Sequence, residues 1–174
     1  MPRFKNFDKI DKNIPVLIAG QTASGKSQIA IDIAKKQGRI IINADAIQVF
    51  KNWRILTARP SSVDEAKVNH KLYGHIDGNT DYSVGTWIKE VKEILSNNSR
   101  PIIVGGTGLY FSALTNGLVD IPEISASIRQ EANNRIKKNG FESLVGEIDQ
   151  ETVQKIDKNN PMRVQRAWEV LRST

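Results

Sequence analysis

The chain contains no cysteine. That absence excludes a disulfide framework, a thiolate metal site and a cysteine nucleophile, and leaves oxygen and histidine as the only metal ligands. His70 and His75 lie in an irregular stretch with no cysteine partner, which argues against zinc and leaves both without an assigned role. Long apolar runs are also missing. No stretch approaches the roughly 20 residues needed to span a bilayer, and the opening MPRFKNFDKIDKN lacks the apolar stretch of a signal peptide. No membrane partner is expected, and a cytoplasmic location is. Repeats and low-complexity segments are absent too. What remains, 174 residues with 39% hydrophobic content, is enough for one good core plus a small appendage.

The formal net charge is +6. Residues 1–119 hold 16 Lys/Arg against 10 Asp/Glu, whereas residues 120–174 hold 9 of each, so the surplus lies in the first part. Net charge governs nonspecific attraction and encounter, so it permits a nucleic-acid partner without requiring one.

Pro15 to Ala19 is a short apolar run ending in a glycine-rich turn, the pattern of a buried parallel strand. Ile29, Ala30, Ile33 and Ala34 then repeat at helical spacing, with Lys35 and Lys36 in the last turn and Gly38 placed to close it. Ile40 to Asn43 is a second buried strand, which completes a βαβ unit with a right-handed crossover. Residues 51–82 have no sustained period and read as loops with short helices. Helical spacing returns from Val84 through Trp87, Ile88, Val91 and Leu95, and Asn97, Asn98 and Ser99 end that element. A third buried strand, Pro101 to Val104, runs into Gly105, Gly106, Thr107 and Gly108, and a short helix follows to Asn116 with Gly117 at its stop.

After Pro122 the alternation ceases. Amphipathic helices are expected around Ile128, Ala132 and Ile136, around Phe141, Leu144, Val145 and Ile148, and around Val164, Ala167, Trp168 and Leu171. The expected fold is therefore α/β: a P-loop NTPase-like parallel sheet with helices on both faces over residues 1–119. A small helical insertion subdomain over residues 120–174 follows it.

Gly20, Gln21, Thr22, Ala23, Ser24, Gly25, Lys26 and Ser27 fit G-x-x-x-x-G-K-[ST], directly after a strand and opening a helix. Consecutive backbone N–H groups and the helix dipole make such a loop an anion site, Lys26 reaches outer phosphate oxygens, and Ser27 can hold magnesium. A plain glycine turn would need neither Lys26 nor Ser27. The loop alone does not distinguish ATP, GTP or another diphosphate. Asp45 falls at the carboxyl end of the second strand, where open α/β sheets place their ligand crevice. It reads as a magnesium ligand, a general base or a helix cap. The amides of Gly105 to Gly108 and the Thr107 hydroxyl end the third strand at the same sheet edge; they can serve a leaving group or simply form a tight turn. Arg163 and Arg166 share a helix face opposite the apolar stripe and suit either RNA phosphates or a solvated surface. Trp53, Trp87 and Trp168 read as packing residues.

Taken in order, GQTASGKS, NADAIQVFKNWRILTARPS, YSVGTW, PIIVGGTGLYFSALTNGL and NNPMRVQRAWEVLRST resemble the tRNA dimethylallyltransferase family, from about Ile14 to the last residue. The resemblance implies transfer of a dimethylallyl group from its diphosphate to N6 of the adenosine 3′ to the anticodon of tRNA, releasing diphosphate with Mg2+ present. By position, Thr22 to Ser27 would hold the donor diphosphate and Asp45 would be the general base, with Thr107 beside the reacting centre. Asp45, Ala46, Ile47, Gln48 and Thr107 would meet the target nucleotide, and Arg129, Met162, Arg163, Val164, Gln165 and Arg166 would contact tRNA. A monomer is expected. Members of that family continue past the position of Thr174, so the helical subdomain is expected to be incomplete. HKLYGHIDG departs from their more apolar His-His-Leu-type run. A P-loop kinase and a diphosphate- or tRNA-binding chain without turnover remain the alternative readings.

Overall fold

The computed structural model describes residues 7–97, 100–118, 121 and 123–174. The expected stop at Asn98 and Ser99, the boundary between Val119 and Asp120, and Pro122 lie outside the described residues. Two compact units divide at Leu118 and Val119.

The first unit runs β1 (Val16–Ala19), α1 (Lys26–Gln37), β2 (Ile41–Asn43), α2 (Ser62–Lys67), β3 (His70–Lys71), α3 (Val84–Ser96), β4 (Ile102–Gly105) and α4 (Gly108–Asn116). The sheet order is β1-β4-β2-β3, and all three pairings are parallel. Because side chains alternate across a strand, the central strands feed two cores at once. Ile41, Ile102 and Val104 pack on Ala30, Ile31, Ile33 and Ala34 of α1. Ile42 and Ile103 pack instead on Trp87, Ile88 and Val91 of α3 and on Tyr110 and Ala113 of α4. Helices thus cover both faces. Close approach at the β4 end demands glycine, since a Cβ on Gly105 would fall 2.0 Å from the Ala44 carbonyl oxygen.

Two expectations about this sheet are corrected. β1 is an edge strand in this chain, so Leu17 and Ala19 are exposed and the strand is not fully buried. Residues 51–82 contain a strand as well as turns and a helix: β3 pairs Ile41 with His70 and Ile42 with Lys71. Two residues are too few to display a period of two. α1 ends as its sequence implies, at Gly38 with φ 65, whose N–H donates to the Ala34 carbonyl.

The second unit is α5 (Ala126–Asn139), α6 (Glu142–Val145), α7 (Gln150–Lys155) and α8 (Pro161–Ser173). Its core is Ala132, Leu144, Ile148, Val164 and Trp168. Ser125, Asp149 and Asn160 accept backbone N–H bonds and so cap α5, α7 and α8, and Pro161 opens α8. α7 was not anticipated, because six residues carry too little apolar spacing to be seen. Leu171 was expected on the buried stripe of α8 but is exposed, while Glu169 is buried. Among the described residues no helix is long and apolar enough to cross a membrane.

Candidate active site

Parallel strands deliver their carboxyl ends to one edge, and here β1, β4 and β2 deliver the P-loop, the Gly105 to Gly108 turn and Asp45 to neighbouring positions. The Gly20 N–H donates to the Gly105 carbonyl at 3.3 Å. A Cβ placed on Gly106 would lie 3.4 Å from the Gly20 carbonyl oxygen and 3.6 Å from Asp45 Oδ2. Gly106 therefore separates the phosphate-binding loop from the carboxylate by the width of one small residue.

Within the loop, Ala23 (φ 63) and Gly25 (φ 84) adopt left-handed backbone, a conformation that turns successive N–H groups inward as an anion nest. No side chain caps α1, so its first-turn N–H groups keep their capacity for an anionic ligand. Lys26 Nζ donates to the Gln21 carbonyl at 2.9 Å, a bond a phosphate oxygen can replace. Ser27 is exposed beside it.

Asp45 is held by Asn43. The buried Asn43 side chain accepts the Asp45 N–H at 2.9 Å and donates to the carbonyls of Asp45 at 2.9 Å and Leu72 at 3.0 Å. Asp45 Oδ1 accepts the Ile47 N–H at 3.0 Å, which caps a turn, while Oδ2 is turned toward Gly106. The cap thus uses one oxygen of the carboxylate, and the other faces Gly106. The Thr107 hydroxyl accepts the Ala46 N–H at 2.9 Å, tying β4 to the Asp45 turn and leaving its own proton to donate. Burial, and then Asp45, push the Tyr73 phenol up; burial followed by Asp45 and Glu90 raises Tyr110 to about 12, so both stay neutral around the carboxylate.

The remaining expected residues separate by role. Ile47 is exposed, Ala46 half-buried, and Gln48 Nε2 donates to the Thr57 carbonyl at 2.7 Å, so its amide nitrogen holds the 53–58 turn. Arg129, Met162, Arg163, Gln165 and Arg166 belong to the second unit. Val164 is fully buried in that unit's core, so its side chain cannot reach a partner. Arg163 and Arg166 were expected opposite the stripe Val164, Ala167, Trp168 and Leu171; Val164 and Trp168 are buried, but Ala167 and Leu171, with Met162 and Val170, line a groove of about 680 Å³ together with the two arginines. His70 Nδ1 meets the Val68 carbonyl and His75 Nε2 meets Glu90, which also accepts the Tyr82 hydroxyl proton; these are structural contacts. No cluster of three or more His, Cys, Asp or Glu suited to a metal occurs among the described residues.

One residue read as packing belongs here instead. Trp53 is 45% exposed and, with Thr22, Asp45, Ile47, Leu56 and Thr57, lines a cavity of about 290 Å³. The signal for it in the sequence is an aromatic beside Ile55 and Leu56 in a stretch with no regular element to bury them.

Fold and site together define a P-loop α/β protein whose anion-binding loop faces a carboxylate from the next strand but one. The IPP transferase family model matches residues 48–174 and the isopentenyl transferase model residues 14–79; the chain belongs to the IPP transferase family. It is 53% identical over 165 residues to a tRNA dimethylallyltransferase of Cereibacter sphaeroides, covering 95% of this chain and 52% of that protein. It is 56% identical over 163 residues to the tRNA dimethylallyltransferase of Dinoroseobacter shibae, covering 92% and 54%. The chain spans about half the length of the curated relatives it matches. Among solved structures, it is similar to a eukaryotic dimethylallyltransferase acting on tRNA (TM-score 0.71, 26% identity, 91% of this chain and 41% of that one). It is also similar to the full-length tRNA isopentenylpyrophosphate transferase of Bacillus halodurans (TM-score 0.57, 30% identity, 93% and 56%).

Proposed function

We propose that this chain carries the catalytic core of a transferase that moves a dimethylallyl group from dimethylallyl diphosphate to N6 of the adenosine 3′ to the anticodon in tRNA. The observation that carries the reading is the placement of Asp45 Oδ2 against Gly106, next to the P-loop. In the reaction a bond forms between N6 and the first carbon of the prenyl group, the bond from that carbon to the diphosphate oxygen breaks, and diphosphate leaves. Asp45 takes the N6 proton as the amine turns cationic, which makes a weak nucleophile competent. Loop amides, Lys26 and the Thr107 hydroxyl meet the charge that develops on the leaving diphosphate.

Magnesium suits this donor set. Ser27 offers a hard oxygen, and the ion is commonly held by one or two protein groups together with substrate phosphates and water. When bound it neutralises diphosphate charge. Arg129, Arg163 and Arg166 are the groups we assign to tRNA phosphates.

Asp45→Asn tests the reading, because asparagine caps a turn about as well as aspartate but cannot accept the proton. Single-turnover transfer should fall about 100- to 10,000-fold with donor and tRNA binding retained. The measurement is made on this chain and at the matching aspartate of a full-length relative. A rate close to the parent's removes Asp45 as the base. A defect confined to donor binding and relieved by added magnesium makes it a metal ligand instead.

A further inference from the structure

We propose that Trp53 is the platform on which the target purine stacks, and so a specificity-determining residue of the acceptor side; this rests on the transferase reading above. Trp87 and Trp168 are fully buried, yet Trp53 is 45% exposed and is accompanied by Ile47 at 56%, Leu56 at 86% and Ile55 at 92%. Exposed apolar surface gathered in one place marks a site of interaction.

The segment is held in shape by its own hydrogen bonds. The Trp53 carbonyl accepts the Thr57 N–H at 3.1 Å and its hydroxyl at 2.6 Å, the Arg59 N–H reaches the Arg54 carbonyl at 3.0 Å, and Gln48 grips the Thr57 carbonyl. Arg54 pairs with Glu65 at 2.7 Å and donates to the Pro60 carbonyl. Trp53 meets Phe50 in a T-shaped contact with ring centroids 5.9 Å apart, and the residue stays 45% exposed.

Chemistry selects the occupant. The cavity that Trp53 lines also holds Asp45 and the P-loop residue Thr22, so its ligand must satisfy an aromatic wall and a carboxylate together. A purine with an exocyclic amine does both: its flat ring stacks on indole and its N–H donates to Asp45. Guanine would turn a carbonyl oxygen toward the same carboxylate and be repelled. A branched prenyl chain alone packs on the indole but leaves the carboxylate unused. An unpaired loop base is free to leave its neighbours for such a surface.

The arrangement of tryptophans supplies the probe. A stacked base alters the emission of Trp53, whereas Trp87 and Trp168 are shielded. The chain is titrated with a labelled RNA hairpin carrying adenosine in its loop, and with the same hairpin made abasic at that position, while anisotropy and tryptophan emission are followed. The adenosine hairpin should quench emission and bind more tightly than the abasic one. Trp53→Ala should weaken adenosine binding about 5- to 150-fold, the range expected for one stacked base. Trp53→Phe should keep near-parent affinity while losing the emission change. Urea unfolding of each variant checks that the exposed position leaves the fold intact. Equal affinity of the Ala variant with no emission change in the parent overturns the stacking role and leaves the transferase reading standing. An emission change with dimethylallyl diphosphate alone, and none with RNA, also overturns it, by giving the wall to the prenyl group. Failure of the parent to bind either hairpin brings down the RNA-acceptor reading and this proposal with it.

Discussion

Asn43 shows how a buried amide sets the position of a carboxylate it does not itself contact through its side chain. It satisfies three backbone groups, the N–H and carbonyl of Asp45 and the carbonyl of Leu72, at a fully buried site. Leucine there has the same side-chain branching, is bulkier, and makes none of these bonds. Each orphaned buried group costs about 1–3 kcal/mol, so with three groups orphaned Asn43→Leu should lower stability by at least about 3 kcal/mol and displace the Asp45 turn. A urea midpoint equal to the parent's, with unchanged m-value, would show that these bonds contribute nothing net. Aspartate at 43 should be no remedy, because a carboxylate facing two carbonyls gains repulsion where the amide donated. Asp45 was legible from its position after β2, since strand ends define the crevice. Asn43 was not, because an asparagine at a strand end reads as a terminator until its three partners are known. Trp53 was misread for a related reason: periodicity assigns a residue to a core only where a regular element exists.

Elements were legible in proportion to their length and period. α1, α3, α5 and α8 each span 12 to 14 residues and show their apolar faces openly. β3 and α7 are shorter than the pattern that would reveal them, and the 51–60 turn depends on Ala58 at φ 51, a left-handed residue for which alanine gives no sign. Beside the apolar core, the second unit is tied by Glu147, which accepts from Arg135 at 2.5 Å, Arg172 at 2.9 Å and Trp168 Nε1 at 2.9 Å. Both arginines also lie over the Trp168 ring, at 5.4 and 5.0 Å. Arg135 first, then Trp168 and Arg172, hold the Glu147 carboxyl down from about 4.5 to about 2. A depressed carboxyl contributes stability that is present above its unfolded value and is lost as pH falls toward its folded one. The melting temperature of this unit should therefore fall as pH drops from about 4.5 to about 2. Glu147→Gln should lower the melting temperature at neutral pH and flatten that acid slope. Parallel melting curves for parent and variant across the range would show that the clamp is not what acid releases.

At the scale of the whole chain, charge is unevenly spread, with the surplus of six in residues 1–119 and none in residues 120–174. General attraction to a polyanion thus comes from the first part, and any phosphate contact by the second depends on particular arginines. Arg163 is exposed on α8. Arg166 is half-exposed but lies 3.8 Å from the buried Glu169 carboxylate, which also accepts from Gln165 at 2.9 Å. The two arginines should therefore behave differently. Arg163→Ala should reduce the slope of log affinity against log salt for tRNA by about 0.7 to 0.9, the value for one phosphate contact, and leave melting unchanged. Arg166→Ala should reduce the slope by less, because Glu169 already offsets part of its charge, and should destabilise the unit by leaving that carboxylate short of a cation. Pairing Arg166→Ala with Glu169→Gln separates the two effects: melting should recover while the salt slope stays reduced. If neither arginine alters the slope, both belong to a solvated basic surface.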